Sequence, residues 1–334
     1  MGPEPYALLL DECMVIGQQR MLAVLGLSAQ KTTGQATHYA DVVVLALVIG
    51  TSWTADAIEA CLRKISQQQG RAPLYVVSDG AANLKKGIAQ AGLVRLSDVS
   101  HQVALLVEHQ YKQRADFLAF MSALTLCKFK GIMLAHAYLL PPRQRTIARF
   151  MNLGTVVGWA VELLGNFSRL SADEQTKFSW LLPYEALVVE LGAVFSLTEE
   201  LVNPLKMNGL STLSSKVCLT LSEKVAPVIP ATLVVTLRDW VLSERAKLSD
   251  PGSKWHVCTN CLESLFGTYQ SALPSNGQSG ITGVVLSICL QTGVGLDFDL
   301  GAGLESVSMS DLATWKSDNL PESQVVKRRK ILKT

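Results

Sequence analysis

In the stretch LYVVSDGAANLKKGI, residues 74–88, four apolar residues and a serine lead to Asp79 and Gly80, and the spacing then turns helical. A carboxylate at the end of a buried strand has two uses. It opens a turn and caps the helix that begins near Ala81, or it belongs to a site, because open α/β sheets carry their chemistry at strand ends. A second oddity lies in YALLLDECMVIG (6–17), where Asp11 and Glu12 interrupt an apolar run. Burying a charge without a partner is strongly unfavourable. Either a metal ion answers one of these carboxylates, or the strand ends there with Glu12 facing solvent. A third carboxylate, Glu263 in NCLESLFG, has apolar neighbours on a predicted helix, where a solvated helix face accounts for it equally. Cys258 and Cys261 form a single CxxC with His256 close by. A zinc site needs a second ligand pair at comparable spacing, so on a helix the two cysteines read as packing residues.

These residues must be positioned by a small set of elements. The runs 6–17, 20–29 and 41–50 read as three successive strands, the second the hairpin partner of the first and the third apolar enough to be buried on both faces. A helix is predicted over 54–69, with Ala57, Ile58, Cys61, Leu62 and Ile65 at helical spacing. PLYVVSDG supplies strand four, a short helix runs to about residue 91, LVRLSDV supplies strand five, and a helix covers 101–112. The order β-β-β-α-β-α-β-α implies an α/β fold with a mixed sheet and helices on its faces. From 115 to 254 amphipathic helical patterns replace the strand signature, which reads as an all-helical insertion. HVCTNCLESLFGTYQSAL is helical again, and the chain closes on the basic run KRRK. The expected division is 1–114 for the first part of an α/β core, 115–254 for the insertion, 255–300 for the final part of the core and 301–334 for a basic tail.

Bulk composition narrows the class. With 334 residues, 49% hydrophobic and 17% charged, the chain is a well-packed globular protein and not a disordered one. A net charge of +2 means that a nucleic-acid partner must be met by local basic clusters. Glu4, Asp11 and Glu12 occupy the place where a secretory leader carries a basic and then an apolar segment. Asp41 and Asp56 close the run VVVLALVIGTSWTA too early to span a bilayer, and Pro274, Asn276 and several glycines break the uncharged stretch 264–296. Seven scattered cysteines, an odd number, fit a reducing cytoplasm better than a disulfide framework.

The element order, with one aspartate in strand one and another just after strand four, resembles the RNase H-like fold. A glutamate on a later helix, beyond a long helical insertion, is similar to the DDE transposases of bacterial insertion sequences. Five blocks carry the resemblance in order along nearly the whole chain: LLLDECMVIGQQRMLAVLGL, VVSDGAANLKKGI, DVSHQVALLVEHQYK, LPPRQRTIARFMNLGTVVGWA and LESLFGTYQSALPSNGQSGIT. The resemblance implies DNA cleavage and strand transfer, with Asp11, Asp79 and Glu263 holding two Mg²⁺ ions, which Mn²⁺ can replace. It also implies transposon ends and target DNA as partners, a homo-oligomer when active, no membrane association, and a cytoplasmic, nucleoid-associated location.

Related transposases place a Cys-x-x-His near the active site. Here Asp98 stands where the cysteine would be and His101 follows; the alternative is that Asp98 caps the helix and His101 sits in its first turn. Arg143, Arg145 and Arg149 in the insertion and Lys327, Arg328, Arg329 and Lys330 in the tail are the candidates for phosphate contacts, or solvated faces. The chain departs from the family's pattern twice. Only ten residues precede Asp11, where transposases usually carry a DNA-binding domain, so that domain is expected from an upstream reading frame. Gln270 stands two turns beyond Glu263, where many of these enzymes carry Lys or Arg. Two alternatives stay open: a truncated, non-catalytic remnant that binds DNA or protein, and an RNase H-like nuclease that cuts without joining.

Overall fold

The computed structural model describes residues 4–16, 19–131, 136–142, 150, 153–225, 228–271, 280–293 and 299–332. The chain divides into two compact units. The first comprises Met1–Asp98, Lys206–Leu210 and Gly252–Thr334, and the second Val99–Leu205 and Ser211–Pro251.

The first unit is built on a five-stranded mixed sheet. Strands β1 (Tyr6–Ile16), β2 (Gln19–Ser28), β3 (Val42–Gly50), β4 (Val76–Ser78) and β5 (Arg95–Ser97) lie in the order β3-β2-β1-β4-β5. β2 runs antiparallel to both β1 and β3, whereas β1, β4 and β5 are mutually parallel. The expected α/β class with a mixed sheet is therefore present. Strands four and five are shorter than the apolar runs that announced them.

Side chains alternate between the two faces of the sheet. Tyr6, Leu8 and Leu10 pack with Leu22, Val24 and Val76 against Ile58, Leu62 and Ile65 of α1 (Ala55–Gln68) and against Leu84 and Ile88 of α2 (Ala82–Gln90). The two helices cross closely at Gly87, where an added Cβ would stand 2.7 Å from the Ile58 Cβ and 2.8 Å from the Ala55 carbonyl. The intervening residues Ala7 and Leu9, together with Val77, are fully buried on the other face. Each fully buried leucine of β1 contributes about 1.5–3 kcal/mol relative to exposure.

Tyr75 shares that second face. Its ring stacks on Trp255 at 4.5 Å between centroids. Its hydroxyl donates to the Ala29 carbonyl at 2.7 Å and accepts from the His256 N–H at 2.8 Å. These contacts lead the chain into α10 (Asn260–Ser271), which packs against β1 and buries Cys261, Leu262, Leu265, Phe266 and Tyr269.

The second unit holds only helices among the described residues: α3 (Val99–Tyr111), α4 (Ala115–Gly131), α5 (Leu153–Gly165), α6 (Ala172–Phe178), most of α7 (Glu185–Asn208), α8 (Thr212–Val225) and α9 (Ala231–Arg245). The stretch Ala172–Asn208 is long and apolar enough to cross a membrane by length and composition alone. Within it α7 buries Leu187, Leu191, Val194, Leu197 and Leu201 on one side, the pattern of a core helix.

The sequence boundary drawn after residue 114 falls at Asp98 in the division into compact units, because α3 packs against α9. At the other end, Leu210 and Trp255 exchange backbone hydrogen bonds of 2.8 and 2.9 Å, and Lys31 N–H donates to the Lys254 carbonyl at 2.7 Å. Those bonds hold residues 206–210 and 252–258 to the first unit.

Candidate active site

Strand register brings the chain to the two aspartates of the sequence reading, each one residue past the last pair between β1 and β4. Leu10 pairs with Ser78, and Ser78 pairs with Ser97. One residue further along each strand come Asp11, Asp79 and Asp98, a row of three across β1 and the ends of β4 and β5. Period-two alternation turns Asp11, which is within β1, to the face opposite α1 and α2, while Asp79 and Asp98 follow the last residues of β4 and β5. Asp11 is only 8% exposed and Asp98 only 1% exposed, while Asp79 is half-buried. Beyond Glu12 the register between β1 and β2 slips by one residue at Cys13. A bulge of this kind bends a strand beside its functional residues.

Asp79 performs the turn function. Its Oδ1 accepts from the Ala81 N–H at 2.9 Å, which opens α2. Arg95 grips the end of β4: Nε donates to Ser78 Oγ at 2.9 Å, Nη2 to the Ser78 carbonyl at 3.1 Å and to the Asp79 carbonyl, and Nη1 to Ser97 Oγ at 3.3 Å. The guanidinium thus neutralises strand-end carbonyls and fixes the backbone that carries Asp79.

Glu12, on the α1 and α2 face, is not a bare strand-end carboxylate. It accepts from Arg20 Nη1 at 2.7 Å and from Asn83 Nδ2 at 2.8 Å. Its charge is answered by an arginine and an amide, and the two neighbouring carboxylates of β1 serve opposite faces of the sheet.

Glu263 lies in the first turn of α10 and is exposed. Ser264 leaves that helix on one flank of its buried stripe and shares a hydrogen bond of 2.5 Å with the Tyr39 hydroxyl, just ahead of β3. At about 100° per residue Glu263 leaves on the other flank. Gln270, two turns on, is exposed on the same stripe as Glu263. Among the described residues no group of three or more His, Cys, Asp or Glu side chains is gathered closely enough to hold a metal ion. Asp11 and Asp79 thus each follow the last pair between β1 and β4, and Glu263 is carried by α10, which packs against β1. In donor chemistry the three suit a hard cation.

Asp98 does more than begin a helix. Its Oδ2 accepts from both the N–H and the hydroxyl of Thr259, at 2.7 and 2.9 Å. His101 lies half-buried in the first turn of α3. Lys327, Arg328, Arg329 and Lys330 stand exposed on a helix, Gln324–Leu332, with Lys330 paired to Glu322. Arg143, Arg145 and Arg149 lie outside the described residues.

Of the CxxC pair, Cys261 lies buried in α10, and Cys258 precedes that helix instead of sharing it. Burial pushes the thiols of Cys258 and Cys261 up to about 12, with the Asp98 charge adding to the rise at Cys258. His256 is held down to about 4, first by burial and then by the Lys31 charge, and its Nδ1 lies 3.2 Å from Thr37 Oγ1.

Arg95 and Thr259 are the participants the sequence reading missed. Arg95 carried a signal, a lone cation inside the apolar run of strand five. Thr259 carried none, because its partner lies 161 positions away. No protein-family model matches the chain, and no curated protein matches it significantly.

Proposed function

We propose that the chain is the catalytic part of a DDE-type transposase, with an RNase H-like core interrupted by a helical insertion, cutting and joining DNA by metal-dependent phosphoryl transfer. One observation carries this reading: β1 and β4 pair in parallel up to Leu10 and Ser78, the residues just before Asp11 and Asp79, and α10, which packs against β1, has Glu263 in its first turn. The element order supports it, as does the all-helical run between β5 and α10.

In this reading Asp11, Asp79 and Glu263 hold the ions. Two bound Mg²⁺ ions, or Mn²⁺, supply the Lewis acidity that activates a water or a DNA 3′-hydroxyl and stabilises the leaving oxygen. The chain's own part is positional. Ala81 N–H pins one oxygen of Asp79 and so directs the other. Arg95 keeps the strand end that carries it from fraying. Exposed cations on the final helix meet phosphates without reading sequence.

A second reading, a fold that binds without cutting, is favoured by the finding that no three His, Cys, Asp or Glu side chains gather to hold an ion among the described residues. Supercoiled plasmid incubated with the protein, pre-cut linear duplexes and Mg²⁺ or Mn²⁺ separates the two. Nicked or joined products that disappear in Asp79→Asn and Glu263→Gln support the transposase. A folded wild type that leaves the plasmid intact with either ion supports the binding-only fold.

A further inference from the structure

Asp98 follows the end of β5, and its N–H and its Oδ2 go to two different elements. Its N–H donates to the Ser78 carbonyl at 2.9 Å, which ties it to the end of β4 immediately before Asp79. Its Oδ2 takes the Thr259 N–H at 2.7 Å and the Thr259 hydroxyl at 2.9 Å. Thr259 in turn sets the first turn of α10, its carbonyl accepting from Leu262 N–H at 2.8 Å and from Glu263 N–H at 3.3 Å. Both Asp98 and Thr259 are 1% exposed, so water does not compete for these bonds. Hydrogen bonds to an ionised carboxylate are shorter and about twice as strong as neutral ones. A negative charge at the first turn also suits the free N–H groups of the helix end. From Asp79 through Ser78, Asp98 and Thr259 to Glu263 the connections are unbroken.

We propose that Asp98 is a positioning residue that fixes the helix bearing Glu263 to the strand end bearing Asp79, and that it acts on the cation site through Glu263. The cation part of this rests on the function proposed above; the placement of α10 does not.

The test uses the full chain with Thr259→Val, which keeps the amide and loses the hydroxyl, Thr259→Ser, which keeps both donors, and Asp98→Asn. Thermal melts establish that each variant is folded. Amide hydrogen exchange at Leu262 and Glu263 reports on the first turn of α10, and Mn²⁺ titration followed by electron paramagnetic resonance reports on the cation site. Thr259→Val is expected to speed exchange at both amides about tenfold and to weaken Mn²⁺ binding about tenfold, the size of one bond to a charged group. Asp98→Asn is expected to shift both in the same direction, and Thr259→Ser to restore both to within about twofold. Wild-type exchange rates in folded Thr259→Val and Asp98→Asn overturn the proposal, whether or not Mn²⁺ binds. Faster exchange in a protein whose wild type takes up no Mn²⁺ supports the placement of α10 and counts against the cation reading alone.

Discussion

Asp79 shows why a turn residue and a site residue need not be alternatives. The Ala81 N–H occupies one oxygen, and a carboxylate has two. Asp79→Asn retains an amide oxygen for Ala81 and loses the charge. It is expected to melt within a few degrees of wild type while losing metal-dependent cleavage. Asp79→Ala loses the turn bond as well and is expected to be less stable by about 1 kcal/mol. Urea unfolding of both variants checks the difference. His256 allows a separate check on the packing beside Lys31. Its value of about 4 lies below the unfolded value of 6.5. Between those values the unfolded chain binds a proton that the folded chain does not. The stability is therefore full above pH 6.5 and is lost as pH falls toward 4, by about 3 kcal/mol at most. Urea titrations at pH 7 and pH 4.5 are expected to show this loss in wild type and a smaller one in His256→Gln.

At the scale of elements, strands and helices that bury a regular stripe were legible. The run 41–50 became Val42–Gly50 and the helix expected over 54–69 became Ala55–Gln68, because Ile58, Leu62 and Ile65 repeat at helical spacing and face the sheet. Strand four was legible in place and not in length. Leu74 and Tyr75 belong to the apolar run, but pairing in the ladder covers only Val76–Ser78. The assignment of α3 to the helical unit was not legible, since its partner α9 begins at Ala231, far along the chain. Close packing behind the site gives this scale its prediction. Gly87 leaves no room for a Cβ between α1 and α2. Gly87→Ala is expected to cost about 1–3 kcal/mol through forced separation of the two helices, despite the better helix propensity of alanine. A lower urea midpoint with an unchanged slope is the expected result.

At the scale of the whole molecule, a net charge of +2 offers little long-range attraction to DNA. Binding must come from local clusters such as Lys327–Lys330, so affinity is expected to fall with salt and to show little sequence preference. Replacing those four cations by glutamine is expected to reduce the logarithmic salt slope by at most about 3–4, at about 0.9 per phosphate contact. The mixed α/β class could be read from the order of strand and helix patterns, and the three proposed carboxylates could be picked out by residue type and place in that order. The bond between Asp98 and Thr259 could not, because the two residues lie 161 positions apart in the chain. The central claim is that Asp11, Asp79 and Glu263 form a divalent-cation site. Its most direct test is a Mn²⁺ titration of the folded wild type and of Asp79→Asn, with the free-ion resonance as readout. The expected result is two ions taken up per wild-type chain and at least about tenfold weaker uptake by Asp79→Asn. An undiminished free-ion signal with wild type, or equal uptake by the two proteins, would contradict it.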